Sequence, residues 1–171
     1  MNAYLQRLQD AITIVTADMS VADMMRRPAS GKWSAAETLE HLCLTYRGTA
    51  RNLEHSLETG KPLAGVLTVK QRLIKMVVLD LGYFPSGRES PKSALPNGMA
   101  AEQLPGEIKI SIGAMDGLIR KCGTTFGDST LITDHPVLGP FTAKQWGKFH
   151  WAHGRHHLKQ ISRMRSQIEN A

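Results

Sequence analysis

Apolar residues recur at three- and four-residue steps along most of the chain, the spacing that gathers side chains on one face of an α-helix. Leu5, Leu8, Ile12 and Val15 form such a stripe over residues 2 to 17. A shorter helical stretch, 20 to 27, precedes Pro28 and Gly31. Ser34 followed by Glu37 is a capping-box sequence, in which each side chain satisfies an otherwise orphaned backbone N–H, so a helix starts at Ala35. It runs to 58 with Leu39, Leu42, Tyr46, Leu53 and Leu57 on one face, and Gly60 and Pro62 end it. Further helices are predicted over 68 to 81 and 106 to 122, the latter carrying Ile108, Ile112, Met115 and Ile119. Thr142 with Gln145 makes a second capping box, opening a helix that runs to 168.

Between the third and fourth main helices, residues 82 to 105 hold Gly82, Pro85, Gly87, Pro91, Pro96, Gly98 and Pro105, too many breakers for a regular element. A loop of that length inside a compact domain usually serves function, so it is a candidate cover for a site. A second loop carries His135, Pro136, Gly139 and Pro140. No stretch alternates long enough to predict a sheet. The fold class is therefore all-α: an antiparallel four-helix bundle, with residues 1–171 as a single domain. Such bundles build ligand and metal sites between facing helices.

Composition narrows the setting. With 171 residues, 42% of them hydrophobic and 21% charged, the chain can bury a core without disulfides. Two cysteines, Cys43 and Cys122, make neither a disulfide framework nor a metal knuckle and read as buried thiols in a reducing cytoplasm. No apolar run approaches a membrane span, and residues 1–10 lack a basic-then-apolar signal pattern. The net charge of +6 admits an acidic partner such as nucleic acid. On the last helix, however, Arg155, Lys159, Arg163 and Arg165 spread around the outside without forming one stripe, and basic residues there suit the helix dipole. Nucleic acid is accordingly not expected as a partner.

Seven histidines are present, four of them between His150 and His157. At about 100° per residue, with His153 at zero, Trp146 falls near 20°, His157 near 40°, His150 near 60° and Gln160 near −20°. His153 and His157 thus point into the bundle at i, i+4, a spacing from which two imidazoles can reach one metal ion. His150 competes with them on angle. Satisfaction by Gln160, Arg155 and backbone carbonyls is the alternative to ligation. Further ligand candidates are His41, His55, His135, Glu37 and Asp134. His41 shares its side of the helix with Thr38, Thr45 and Gly48, small residues that leave room for a cleft, but that side lies about 135° from the apolar stripe. His55 reads as solvated and His135 as a turn residue.

Lys32-Trp33-Ser34-Ala35-Ala36-Glu37 followed by Glu40-His41-Leu42 resembles the first signature of the DinB/YfiT-like superfamily. His135-Pro136-Val137-Leu138-Gly139-Pro140, continuing through Gln145-Trp146 to His153, His157, Leu158 and Gln160, is similar to its DUF1569 branch. The resemblance implies a four-helix bundle with a divalent metal, zinc, nickel, manganese or iron, held by His41, His153 and His157. Better-known relatives attach low-molecular-weight thiols such as bacillithiol, mycothiol or glutathione to electrophiles. Three imidazoles leave a coordination position at which a thiol or water becomes a nucleophile near neutral pH. This implies a metal-dependent thiol transferase or hydrolase acting on a small molecule; a non-catalytic, homodimeric metal- or ligand-binding bundle is the alternative. Glu37 is a candidate orienter of His41. Trp33 and Trp146 are expected to fill the bundle end as core residues, and His150 and His156 to be exposed or to face substrate.

Overall fold

The computed structural model describes residues 1–84 and 90–169. Six helices carry most of the chain: α1 (Ala3–Thr16), α2 (Val21–Met25), α3 (Ala35–Glu58), α4 (Val69–Asp80), α5 (Leu104–Phe126) and α6 (Ala143–Glu169). Their starts follow the side-chain chemistry. The Ser34–Glu37 capping box is formed, as is the one between Thr142 and Gln145, and Thr68 with Gln71 adds a third at α4. α5 begins two residues before the expected 106 because Pro105 sits in its first turn, where the missing N–H has no helical partner to lose.

The apolar stripes meet as their periodicity predicts. α3 packs along α5 and α1 along α6, burying Leu5, Leu8, Leu39, Leu42, Ile112 and Met115 completely. Gly154 of α6 lets α1 come close, since a Cβ there would run into the buried Leu8 side chain. Cys43 and Cys122 are both buried free thiols. Among the described residues no helix is long and apolar enough to cross a membrane.

A two-stranded antiparallel hairpin, β1 (Leu131–His135) and β2 (Gly139–Thr142), corrects the expectation of a sheet-free chain. Its strands are five and four residues long, a register irregularity falls between Leu131 and Thr133, and Gly139, Pro140 and Phe141 are all buried. Alternation is therefore absent even though strands form. Gly139 has φ +73°, and a Cβ on it would collide with the Gln71 side chain. Gly139→Ala is expected to destabilise the protein by about 1–2 kcal/mol. Urea unfolding measures this; an unchanged midpoint would mean that the hairpin is not held in this conformation.

Of the breaker-rich stretch 82–105, residues 85–89 with Pro85 and Gly87 lie outside the described residues. The following part is tied to α3. Lys92–Ala94 forms one 3-10 turn, and Glu40, only 2% exposed, accepts hydrogen bonds from Asn97 N (2.9 Å) and Gly98 N (3.2 Å). A buried carboxylate needs such donors, so Glu40 pins this stretch against the second turn of α3.

Candidate metal centre

His41 follows Glu40 and is itself 4% exposed. Its Nδ1–H donates to the Ala94 carbonyl at 2.8 Å, which leaves Nε2 as a lone pair. That Nε2 lies 3.4 Å from Nε2 of His153, which in turn lies 3.1 Å from Nε2 of His157. The i, i+4 pair on α6 and the histidine of α3 thus turn the same ring nitrogen toward one point, with all three ligand atoms within 4.8 Å of one another.

Two nitrogens bound tetrahedrally at the usual metal–imidazole distance of about 2.0–2.1 Å stand about 3.3 Å apart. The observed 3.4 and 3.1 Å match that spacing. A single proton could bridge one of these pairs, whereas a cation satisfies all three lone pairs at once. The far nitrogen of two of the three rings, His41 and His157, is also held for orientation. His157 Nδ1 donates to Gln160 Oε1 at 2.9 Å, and the Gln160 amide donates to His156 Nε2 at 3.3 Å. The His153 ring stacks on Phe149, with centroids 5.4 Å apart and planes 9° from parallel. Metal-binding imidazoles characteristically donate their second N–H to such carbonyl oxygens.

The charge state suits ligation. Burial pushes the His41 imidazole below its ordinary pKa, opposed in part by the Ala94 bond. Burial, with His157 and His41 as neighbours, holds His153 well below the ordinary value, and burial followed by His41 lowers His157 to about 3. All three rings are neutral at pH 7, the form that binds a metal.

The cluster opens on a cavity of about 900 Å³. Thr45 and Gly48 line it from α3, so two of the three small residues beside His41 leave space for a cleft; Thr38 is buried and does not line it. Trp33, expected in the core, is instead a half-buried cavity wall 5.2 Å from the His41 ring; Trp146 is in the core at 2% exposure. Phe84, which no sequence pattern marks, lies 5.7 Å from His153 and 5.2 Å from His156.

The other candidates fall elsewhere. His55 is 65% exposed beside Glu58. Asp134 is exposed and accepts from Gly65 N at 3.0 Å. Glu37 is occupied by the capping box and by Arg27, so the His41 orienter is the Ala94 carbonyl and not this carboxylate. His135 ends β1 and accepts turn hydrogen bonds, as its position before Pro136 suggests. His156 is half-buried at the cavity.

His150, expected to be exposed or substrate-facing, is 0% exposed. It lies 3.0 Å from Thr49 Oγ1 and stacks on Trp146 at 5.7 Å. Burial, followed by the charge of His135, lowers its pKa to about 3. Between pH 6.5 and about 3 the unfolded chain therefore takes up a proton that folded His150 refuses. Its contribution to stability is intact above pH 6.5 and falls as the pH drops through that window, by at most about 1.4 kcal/mol per unit. In metal-free protein, His150→Gln is expected to flatten the decline in unfolding free energy between pH 6.5 and 5. An unchanged slope would show that His150 is protonated in the folded state.

Compared with protein-family models, residues 4–161 match that of the DinB superfamily. No curated protein and no solved structure gives a match.

Proposed function

Because the chain belongs to the DinB superfamily, we propose that it is a divalent-metal-dependent enzyme in which His41, His153 and His157 hold the ion and a thiol or water is activated for transfer or hydrolysis. The convergence of three neutral Nε2 atoms at metal-ligand spacing carries this reading. We also read the fold as the family's four-helix bundle, formed by α1, α3, α5 and α6, and the His135–Pro140 segment as that of its DUF1569 branch.

A bound divalent ion supplies Lewis acidity and, with three nitrogen donors, an incomplete coordination sphere at which a thiol or water loses its proton near neutral pH. Zinc, nickel, manganese and iron all accept imidazole. The chain's own residues do the rest. The Ala94 carbonyl and Gln160 hold the His41 and His157 rings in the tautomer that presents Nε2. Trp33, Phe84 and Phe149 wall the site with apolar rings, which excludes water and strengthens electrostatic interactions inside.

Cobalt-loaded protein tests the open position. Added glutathione or cysteine is expected to produce a sulfur-to-cobalt charge-transfer absorption that His153→Ala lacks. A spectrum unmoved by thiols and by pH would exclude activation of both thiol and water.

A homodimer is favoured by α4, which leaves Val69, Leu73 and Met76 exposed by 77, 57 and 53% at i, i+4 and i+7. Analytical ultracentrifugation is expected to give the mass of two chains, and that of one for Leu73→Glu. A one-chain mass for the unsubstituted protein would exclude the dimer.

A further inference from the structure

His135 is held in one tautomer by the hairpin turn. Its Nδ1 accepts hydrogen bonds from the backbone N–H groups of Val137 and Leu138, both at 3.1 Å. A ring nitrogen that accepts carries the lone pair, so the proton sits on Nε2. The ring packs edge-on against Phe149 at 4.7 Å and lines the same cavity as the three-histidine cluster. Burial lowers its pKa to about 4, which keeps the ring uncharged at neutral pH. Nε2 has no hydrogen-bond partner among the described residues, and the residue is half-buried. His135 is therefore a fixed, neutral N–H donor on a ring that lines the cavity of the candidate metal centre.

Among the described residues that line that cavity, cations outnumber carboxylates. Lys32, Arg51 and Lys92 line the cavity, and none of them pairs with a carboxylate among the described residues. Asp134 is the one carboxylate among the described lining residues, and its oxygens are engaged by Gly65 N at 3.0 and 3.2 Å. Cations along a low-dielectric cleft raise the local concentration of anions.

We propose that the cavity binds a small organic carboxylate, one oxygen of which accepts the Nε2–H of His135, while the excess of cations lining the cavity favours entry of an anion. The carboxylate is thereby anchored away from the three histidines, and the apolar remainder of the molecule lies along the aromatic walls toward them. This gives a substrate class to the function proposed above and rests on that reading for its catalytic meaning, although the binding itself does not require the metal.

Ring-¹⁵N NMR of metal-free and zinc-loaded protein tests it, with benzoate, phenylacetate and 4-phenylbutyrate as probes, each beside its primary amide. At pH 7 the His135 ring is expected to show Nε2–H and an unprotonated Nδ1, and the carboxylates to shift its signals and bind at least about tenfold more tightly than the amides. His135→Asn keeps an oxygen that can accept the turn N–H groups but has no N–H at the position of Nε2, and should weaken the carboxylates about tenfold with little change in Tm. Arg51→Met, at an exposed helical position, should weaken them severalfold. An Nδ1–H tautomer, the absence of ring shifts with every probe at millimolar concentration, or equal binding by His135→Asn would overturn the proposal. Carboxylate binding by a protein that takes up no metal would retain this inference and remove the metal reading; metal uptake without carboxylate binding would do the reverse.

Discussion

Replacing His153 with alanine is expected to weaken zinc binding by more than about 100-fold, since even a lost partner behind a metal ligand costs roughly 10–100-fold. His153 is the central member of the cluster, its Nε2 lying 3.4 Å from that of His41 and 3.1 Å from that of His157. Its removal leaves two donors that do not adjoin through it. Gln160→Ala, which removes only the acceptor for His157 Nδ1–H, should fall in the 10–100-fold range. Competition with a chromophoric chelator measures both. Without metal the order of stability should differ: His153 has a buried Nδ1 with no partner among the described residues, so the metal-free alanine variant should melt no lower than the metal-free parent by more than the lost stacking on Phe149 explains. Equal zinc affinity in parent and variant would remove His153 from the ligand set.

Metal removal should also be visible in the fold. A ligand that binds only the native state at 100 times its Kd adds about 2.7 kcal/mol. For a chain of this length that is a Tm increase of roughly 5–11 °C. The increase on adding zinc to stripped protein is expected because an ion held by His41, His153 and His157 would join α3 to α6 through side chains that otherwise meet as three neutral imidazoles. His41→Ala should show little of it. If zinc left the Tm of the parent unmoved, the three histidines would be a polar cluster and not a metal centre.

The helices were legible because their signals are local. Ser34–Glu37 and Thr142–Gln145 mark starts, and the spacing of Leu5, Leu8 and Ile12 or of Ile108, Ile112 and Met115 marks buried faces. His153 and His157 were legible for the same reason, being one turn apart on one element. His41 was less so. The helical wheel sets it far from the apolar stripe, yet Ala35, Ala36 and Thr38 through Cys43 are all buried, because α5, α6 and the turn at Lys92–Ala94 enclose the start of α3 on several sides. A single stripe is a poor guide to a helix buried all round. The Ala94 carbonyl that orients His41 had no sequence signal, since any residue supplies a carbonyl. His150 departs from expectation because its wheel position fits both a cavity and a core, and only the stacking of Trp146 and the contact with Thr49 decide between them. The hairpin has no alternating signature because Gly139, Pro140 and Phe141 of β2 are all buried.

The most direct measurement is the elemental composition of the purified protein, grown in metal-replete medium, beside His41→Ala prepared in parallel. Close to one divalent ion per chain in the parent and close to none in the variant is the result expected from three Nε2 atoms converging between α3 and α6. A parent that carries no divalent metal, or a variant that carries as much as the parent, would contradict it.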